Sequence, residues 1–299
     1  MRAWINGLTA ALLVGVVIGL MLTPDGRAWL RHPTLLLGGG ANASASPTPE
    51  ARPELEAVAP AATPAAPGPM GAPVRLRAAA ADDDGTLRIG VFGDSMADGL
   101  WTALYRDLDR EPGVEVIKFS EVSTGLSRYD YVDIQAKTAG QIAGQPIDVA
   151  VILFGTNDAQ GIELDGTVHA FGTPGWRAAY ARRVDDLVSL LRSRGVAVYW
   201  VGLPKMKRES FDEKMRLINE VVGGRMRALN VPYIETTSVT AGPDGGYEAY
   251  LPESPGGRPR LMRAHDGIHM TMAGYLRIAA PVAERLRADA GLDQTAAGG

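Results

Sequence analysis

From residue 87 onward, short apolar runs alternate with longer amphipathic segments, and this alternation limits the fold more than any other feature of the sequence. Strands that alternate with helices pair in parallel, because each helix carries the chain back to the start of the next strand. Runs that are apolar at nearly every position are expected where helices cover both faces of a parallel sheet. The sequence therefore predicts an α/β domain, a three-layer α/β/α sandwich around a parallel sheet of about five strands.

The individual elements of this domain can be assigned from the same pattern. The predicted strands begin at Leu87, Val114, Asp148, Val196 and Val231. The predicted helices cover Ala97–Arg110, Asp130–Ile142, Pro174–Arg194, Arg208–Leu229 and Thr271–Ala288. The third helix has apolar residues at three- and four-residue spacing from Tyr180 to Leu191, as an amphipathic helix does. The predicted domain spans residues 87–290, and residues 291–299 are predicted to be a flexible tail.

The N-terminal part of the chain has a different character. Residues 5–22 form an apolar run without a charged residue, and no small-x-small cleavage site follows it closely. We interpret residues 1–37 as a membrane anchor, with a cleaved signal segment as the first alternative and a buried core helix as the second. Residues 38–86 are rich in Ala, Pro, Gly and Ser, which predicts a disordered linker. The predicted layout is an anchor, a linker and a folded domain.

Composition excludes several functional classes. The formal net charge of -4 lacks the basic excess of a nucleic-acid-binding protein, so no nucleic-acid partner is expected. The absence of cysteine excludes disulfides, thiol catalysis and thiolate metal sites. The first predicted strand leads into GVFGDS rather than the G-x-G-x-x-G of a dinucleotide-binding domain. We predict neither a cofactor nor a metal ion.

Three polar clusters follow apolar segments that lie far apart in the chain. GDS ends the first predicted strand, FGTND ends the third, and HDGIH precedes the last helix. Ligands of open α/β sheets bind outside the carboxyl ends of the strands. The three clusters are therefore expected to meet at one edge of the sheet.

The residue types in these clusters suit nucleophilic catalysis. The hydroxyl of Ser95 is a weak nucleophile that needs a base, and the base needs a group that orients it. Asp266 and His269 are spaced so that the carboxylate can fold back onto the imidazole, and Asn157 offers an amide donor for an oxyanion. Taken singly, Ser95 also suits a helix N-cap, and Asn157 an Asx turn.

Taken together, GDS, GTND and DGIH in this order resemble blocks I, III and V of the SGNH (GDSL-type) hydrolases, over Leu87 to Leu286. The layout of anchor, Pro/Ala-rich linker and GDSMADGL is similar to a little-characterised, membrane-tethered periplasmic branch of that superfamily. The resemblance implies the flavodoxin-like SGNH hydrolase fold. It also implies a serine esterase, a hydrolase acting on ester bonds that works without a cofactor.

The resemblance assigns roles to individual residues. Ser95 matches the nucleophile, His269 the general base and Asp266 the residue that orients it. Asn157 matches the side-chain donor of the oxyanion hole, together with the backbone N–H of Ser95. For the block II glycine, which supplies another backbone donor, Gly125 in VSTGLSR is the choice.

The resemblance and the layout also suggest a substrate and a location. We expect hydrolysis of O-acyl (acetyl) groups on a cell-envelope glycan or a small ester, through an acyl-enzyme on Ser95. The expected location is the periplasmic side of the bacterial inner membrane, to which the N-terminal segment anchors the protein, or outside the cell after cleavage. An O-acyltransferase with a membrane protein as acyl donor is one alternative, and a non-catalytic glycan-binding module is another.

A long segment before the Asp266–His269 pair supplies candidate substrate-binding residues. Tyr247 and Tyr250 are predicted to stack on sugar rings, and Arg263 to face an anionic group. Phe171 and Trp176 follow Asn157 and invite a similar interpretation. Packing within the fold is the alternative for all five.

Overall fold

The computed structural model describes Leu76 and residues 85–253 and 256–292. The predicted anchor (residues 1–37), nearly all of the predicted linker (residues 38–86) and most of the predicted tail (residues 291–299) lie outside these residues. Leu76, inside the predicted linker, is buried in the main hydrophobic core. No helix within the described part of the chain combines the length and the apolar character that crossing a bilayer requires.

A parallel five-stranded sheet forms the centre of the domain. Its strands are β1 (Leu87–Gly93), β2 (Val114–Lys118), β3 (Val149–Leu153), β6 (Ala197–Val201) and β7 (Tyr233–Ile234). They lie in the order β2-β1-β3-β6-β7. Two antiparallel hairpins lie outside it, β4 (Ile162–Leu164) with β5 (Thr167–His169) and β8 (Tyr250–Pro252) with β9 (Pro259–Leu261). The sequence did not predict these hairpins, because strands of three residues are too short to show a period-two pattern.

The helices complete two outer layers. They are α1 (Ser95–Leu108), α2 (Ile134–Gly144), α3 (Pro174–Ser193), α4 (Glu209–Ala228), the single turn α5 (Thr237–Thr240) and α6 (Met272–Ala290). Helix α1 packs against α6, and α3 packs against α2 and α4. All five residues of β3 are buried, as expected for a strand with helices on both faces. The predicted three-layer α/β/α sandwich is confirmed.

Side-chain caps explain where α1, α2 and α3 begin. Asp94 caps α1, so this helix starts at Ser95 rather than at the predicted Ala97. Asp133 caps α2, which starts at Ile134 rather than at Asp130. Thr173 caps α3, and Pro174 lies in its first turn. Proline is tolerated there because a backbone N–H in the first turn has no partner within the helix.

The register of the sheet aligns the strand ends that matter for function. Gly93, the last residue of β1, pairs with Leu153, the last residue of β3. The GDS and GTND clusters therefore leave the sheet side by side, at its carboxyl edge.

Candidate active site

Ser95 begins α1 directly after β1, at a turn that its neighbours hold tightly. Gly93 has φ +147°, and a Cβ there would lie 2.0 Å from the carbonyl oxygen of Leu153, so only glycine fits. Asp94 accepts a hydrogen bond from the N–H of Met96 at 2.9 Å. The Ser95 hydroxyl is thereby fixed at the N-terminus of a helix, where the helix dipole favours negative charge.

Ser95, His269 and Asp266 form a continuous hydrogen-bonded chain. The Oγ of Ser95 lies 2.7 Å from Nε2 of His269, and Nδ1 of His269 lies 2.6 Å from Oδ2 of Asp266. The other carboxylate oxygen of Asp266 accepts from the N–H groups of Ile268 and His269, at 2.8 and 2.9 Å. With a proton on Nδ1, Nε2 is free to accept the serine hydroxyl proton.

The electrostatics of Asp266 favour the charged form. Its partial burial alone would raise its pKa, but the hydrogen bonds from the His269 ring and from two backbone N–H groups outweigh burial and lower the pKa. The carboxylate is therefore ionised at neutral pH and can stabilise an imidazolium on His269.

Asn157 and Gly125 lie side by side, as an oxyanion hole requires. The Nδ2 of Asn157 donates to the carbonyl oxygen of Thr124 at 2.9 Å, which fixes the amide and leaves its second N–H unused by this bond. A Cβ on Gly125 would lie 2.3 Å from Oδ1 of Asp158, so the close approach requires glycine. The N–H of Glu121 donates to the carbonyl oxygen of Gly93 at 2.9 Å, which ties this loop to the end of β1.

The carboxylate of Asp158 also holds the loop that contains Gly125. It is fully buried, and its Oδ1 accepts from the N–H and the hydroxyl of Ser127, at 2.8 and 2.9 Å. Its Oδ2 accepts from the hydroxyl of Tyr180 at 2.8 Å, and the guanidinium of Arg183 donates to the carbonyl oxygen of Leu126. Burial raises the pKa of Asp158. Asp158 is a supporting residue that was not predicted, although its place directly after Asn157 in GTND could have suggested a role.

Asp94 links the GDS cluster to the GTND cluster. Its Oδ2 accepts from the N–H groups of Gly155 and Thr156, at 3.3 and 3.0 Å, and from the hydroxyl of Thr156 at 2.7 Å. Complete burial raises the pKa of Asp94 to about 6, against the opposing effect of these hydrogen bonds. Asp94 accordingly fixes the geometry between Ser95 and the GTND loop.

The candidate substrate-binding residues occupy different environments. Tyr250 is 58% exposed on β8, opposite Leu261 of β9. Tyr247 is half-buried, with its ring centroid 5.3 Å from the guanidinium carbon of Arg263. Arg263 itself is only 2% exposed, so it is not on the surface where an anionic substrate group would meet it.

The two aromatic residues after Asn157 also differ. Trp176 is fully buried, stacks on Tyr180 at 4.7 Å and donates to the carbonyl oxygen of Gln160, so it belongs to the packing. Phe171 lines an open groove of about 400 Å³ together with Lys214 and Leu217. Among the residues that the structure describes, no three His, Asp or Glu side chains group as metal ligands would.

Comparison with known proteins places this geometry in context. The sequence model of a family described as protein of unknown function (DUF459) matches residues 88–285. No curated protein matches the chain in sequence.

Several solved structures are similar to the domain. A G-D-S-L family protein from Desulfitobacterium hafniense is 12% identical, with a TM-score of 0.50 over 67% of this chain and 99% of that one. A GDSL-like lipase from Bacteroides thetaiotaomicron is 16% identical, with a TM-score of 0.48 over 67% and 88%. An acetyl xylan esterase is 17% identical, with a TM-score of 0.47 over 68% and 98%. The first similarity confirms the predicted SGNH-type fold, and at this identity it extends to the fold alone.

Proposed function

The chain belongs to the DUF459 family, whose description assigns no function, and from its fold and site geometry we propose that it is a serine esterase. The observation that carries the proposal is the pair of short contacts from Ser95 to His269 and from His269 to Asp266, 2.7 and 2.6 Å. A helix N-cap would account for Ser95 alone, and a surface ion pair would account for Asp266 with His269. Neither requires the imidazole of His269 to bridge Ser95 and Asp266.

The geometry supports acyl-enzyme chemistry. The Oγ of Ser95 attacks the ester carbonyl carbon while Nε2 of His269 takes the hydroxyl proton, and Asp266 stabilises the imidazolium. The imidazolium then gives its proton to the leaving alkoxide, which departs as an alcohol. A water molecule, deprotonated by the same Nε2, attacks the acyl-enzyme and releases the acid together with free Ser95.

The oxyanion of the tetrahedral intermediate needs donors that are already in place. The amide of Asn157 is held by the carbonyl oxygen of Thr124, so no rotation is needed when the charge develops. The backbone N–H groups of Ser95, at the start of α1, and of Gly125 are the additional donors that we propose.

We further propose that the substrate is an O-acyl group, such as acetyl, on a cell-envelope glycan. The exposure of the proposed Ser95–His269–Asp266 triad supports a polymeric substrate, because 38% of the His269 side chain and 46% of the Asp266 side chain are accessible. An exposed triad suits an ester carried by a large polymer better than a lipid chain, which would need a deep apolar channel.

The location is a separate proposal, and it rests on the sequence. The apolar run at residues 5–22 and the Pro/Ala-rich segment at residues 38–86 favour a protein anchored on the periplasmic side of the inner membrane. An envelope glycan would be within its reach there.

The test is ester hydrolysis by the full-length protein in detergent, compared with its Ser95→Ala variant. Both are incubated with p-nitrophenyl acetate and with an O-acetylated polysaccharide, and acetate release is measured. We expect wild-type protein to release acetate from both and the variant from neither.

Three other results have different meanings. Serine-dependent hydrolysis of the small ester alone would refute the polymer substrate and keep the esterase. Transfer of acetyl to an added oligosaccharide, in place of release, would identify an acyltransferase. Equal rates for wild type and variant would remove the triad assignment altogether.

A further inference from the structure

The Asp266–His269 loop rests on a buried cation, Arg263. This residue follows β9 and is only 2% exposed. Burial lowers the pKa of its guanidinium, because a charged group loses its hydration there. A buried arginine needs compensating hydrogen bonds, and where it finds them indicates what it does.

Its hydrogen bonds go to the backbone between the two triad members. The Nη2 of Arg263 donates to the carbonyl oxygens of Gly267 and Ile268, each at 3.0 Å. These are the two residues that separate Asp266 from His269. Nη2 also lies 3.4 Å from the sulfur of Met206.

The same loop is closed by its own backbone bonds. Ala264 donates to the carbonyl oxygen of His269 at 2.9 Å, and Gly267 donates to that of Ala264 at 3.1 Å. Arg263 and Met270 form an isolated antiparallel bridge at the base of the loop. The guanidinium therefore lies under a tight loop whose ends meet and whose two central carbonyls point at it.

The other donor atoms of the Arg263 guanidinium are less well compensated than Nη2. Its Nε and Nη1 are buried and have no hydrogen-bond partner within the described residues. The bonds to the Gly267 and Ile268 carbonyls, together with the ring of Tyr247 at 5.3 Å from the guanidinium carbon, therefore offset the cost of burying this charge.

We propose that Arg263 is a positioning residue for the triad, holding the carbonyls of Gly267 and Ile268 so that Asp266 and His269 keep their hydrogen-bonding distance. This proposal rests on the proposed esterase function. It replaces the sequence-based expectation that Arg263 faces an anionic group of the substrate. A misplacement of about 1 Å at a catalytic group costs up to about a hundredfold in rate, so a loosened loop should be visible in the kinetics.

The test is Arg263→Met in the full-length protein, with p-nitrophenyl acetate as a small neutral ester. If Arg263 acts by positioning His269 rather than by binding substrate, kcat should fall by about tenfold to a hundredfold with KM unchanged. Hydrogen exchange of the amides of Gly267, Ile268 and His269 should speed up, since these amides donate within the loop.

Arg192→Met is the matched control. The guanidinium of Arg192 also donates to two successive carbonyls, those of Leu229 at 2.8 Å and Asn230 at 3.1 Å, but these precede β7 at the opposite edge of the sheet. Its loss should leave both kcat and exchange in the Asp266–His269 loop unchanged.

An unchanged kcat in folded Arg263→Met would overturn the proposal. A raised KM for an anionic ester with normal kcat on the neutral one would overturn it in favour of substrate binding. If the methionine variant does not fold, Arg263→Lys decides, because one ammonium group cannot reproduce the planar donor, and wild-type kcat in that variant would refute the positioning role.

Hydrogen exchange separates this failure from failure of the esterase proposal. If wild-type protein hydrolyses no ester while Arg263→Met still loosens the loop, the esterase proposal fails and the structural half of the inference stands. If wild-type protein is an esterase and the variant changes neither exchange nor kcat, the inference alone fails.

Discussion

The two sides of the candidate site are built in different ways. On the oxyanion side, which we define as Asp94, Asn157 and Asp158 with the loops that they hold, both carboxylates are fully buried and tie distant segments to the sheet. On the base side, defined as Asp266–His269, the side chains of Asp266 and His269 are 46% and 38% exposed. Their hydrogen bonds join residues close in sequence, except for the contact to Ser95.

We expect this difference in burial to separate the effects of substitutions on activity from their effects on stability. A buried carboxylate with several long-range hydrogen bonds positions a loop firmly, but its removal leaves buried donors unpaired and destabilises the fold. An exposed loop can lose a side chain at little cost in folding. Substitutions on the base side should therefore change activity alone, whereas those on the oxyanion side should change activity and stability together.

The largest expected effect is on the base side. In His269→Ala no group remains to take the Ser95 proton, so kcat for p-nitrophenyl acetate should fall by about 10⁴-fold or more. The free energy of unfolding, measured by urea titration, should change by less than about 1 kcal/mol. A loss of several kcal/mol would show that the exposed loop is also a structural element and would remove the contrast.

Asn157→Ala should give the next largest loss of activity. By analogy with other side-chain oxyanion donors, kcat should fall by about 10²-fold to 10³-fold while KM stays similar. Because the substitution also removes the hydrogen bond to the carbonyl oxygen of Thr124, the free energy of unfolding should fall by about 1 kcal/mol. Asn157→Asp, which keeps the size but loses the donor, is the matched variant, and normal kcat in either would exclude Asn157 from the oxyanion hole.

Asp158→Ala should destabilise the fold more than any base-side change. The substitution leaves the N–H and hydroxyl of Ser127 and the hydroxyl of Tyr180 without their acceptor. The loss in free energy of unfolding should be about 3 to 5 kcal/mol, with kcat lowered in the fraction that remains folded. Asp165→Ala is the control, since its carboxylate is 74% exposed and pairs with Arg182 at the surface. Equal stability of the two variants would contradict the buried-network account.

The same contrast explains which parts were predictable from sequence. Apolar runs predicted the strands. The rule that parallel strands end at one edge predicted that GDS and GTND leave the sheet side by side and that Ser95 and His269 meet. The place of Asp158 in GTND could suggest a role, but its partners Ser127 and Tyr180 are 31 and 22 residues away, so the sequence does not show which loop it holds.

Arg263 is a second residue whose role could not be predicted from the sequence. An arginine in a polar segment is expected at the surface, and the prediction for Arg263 was accordingly that it faces an anionic group of the substrate. Its burial follows from how the segment after β9 folds under the Asp266–His269 loop, which is a tertiary property. The roles of exposed and buried polar residues are therefore what a single sequence distinguishes least well.

The smallest expected effect concerns pH and the oxyanion side. Because the pKa of Asp94 is raised to about 6, its carboxyl binds a proton more tightly in the folded chain than in the unfolded one. Its contribution to stability is complete below its ordinary pKa, 3.8, and is lost as the pH rises through about 6. Asp266, whose pKa is lowered, is ionised throughout this window, so it adds no such dependence.

Thr156→Val tests this sign directly. The Thr156 hydroxyl donates to Oδ2 of Asp94 at 2.7 Å and so stabilises the charged form. Its removal should cost about 1 to 2 kcal/mol above pH 7, where Asp94 is ionised, and clearly less below pH 5, where it is protonated. Urea unfolding of wild type, Thr156→Val and the hydroxyl-retaining Thr156→Ser at both pH values measures the difference. A cost independent of pH would mean that Asp94 does not titrate in this range, and the oxyanion side would then be as insensitive to pH as the base side's carboxylate.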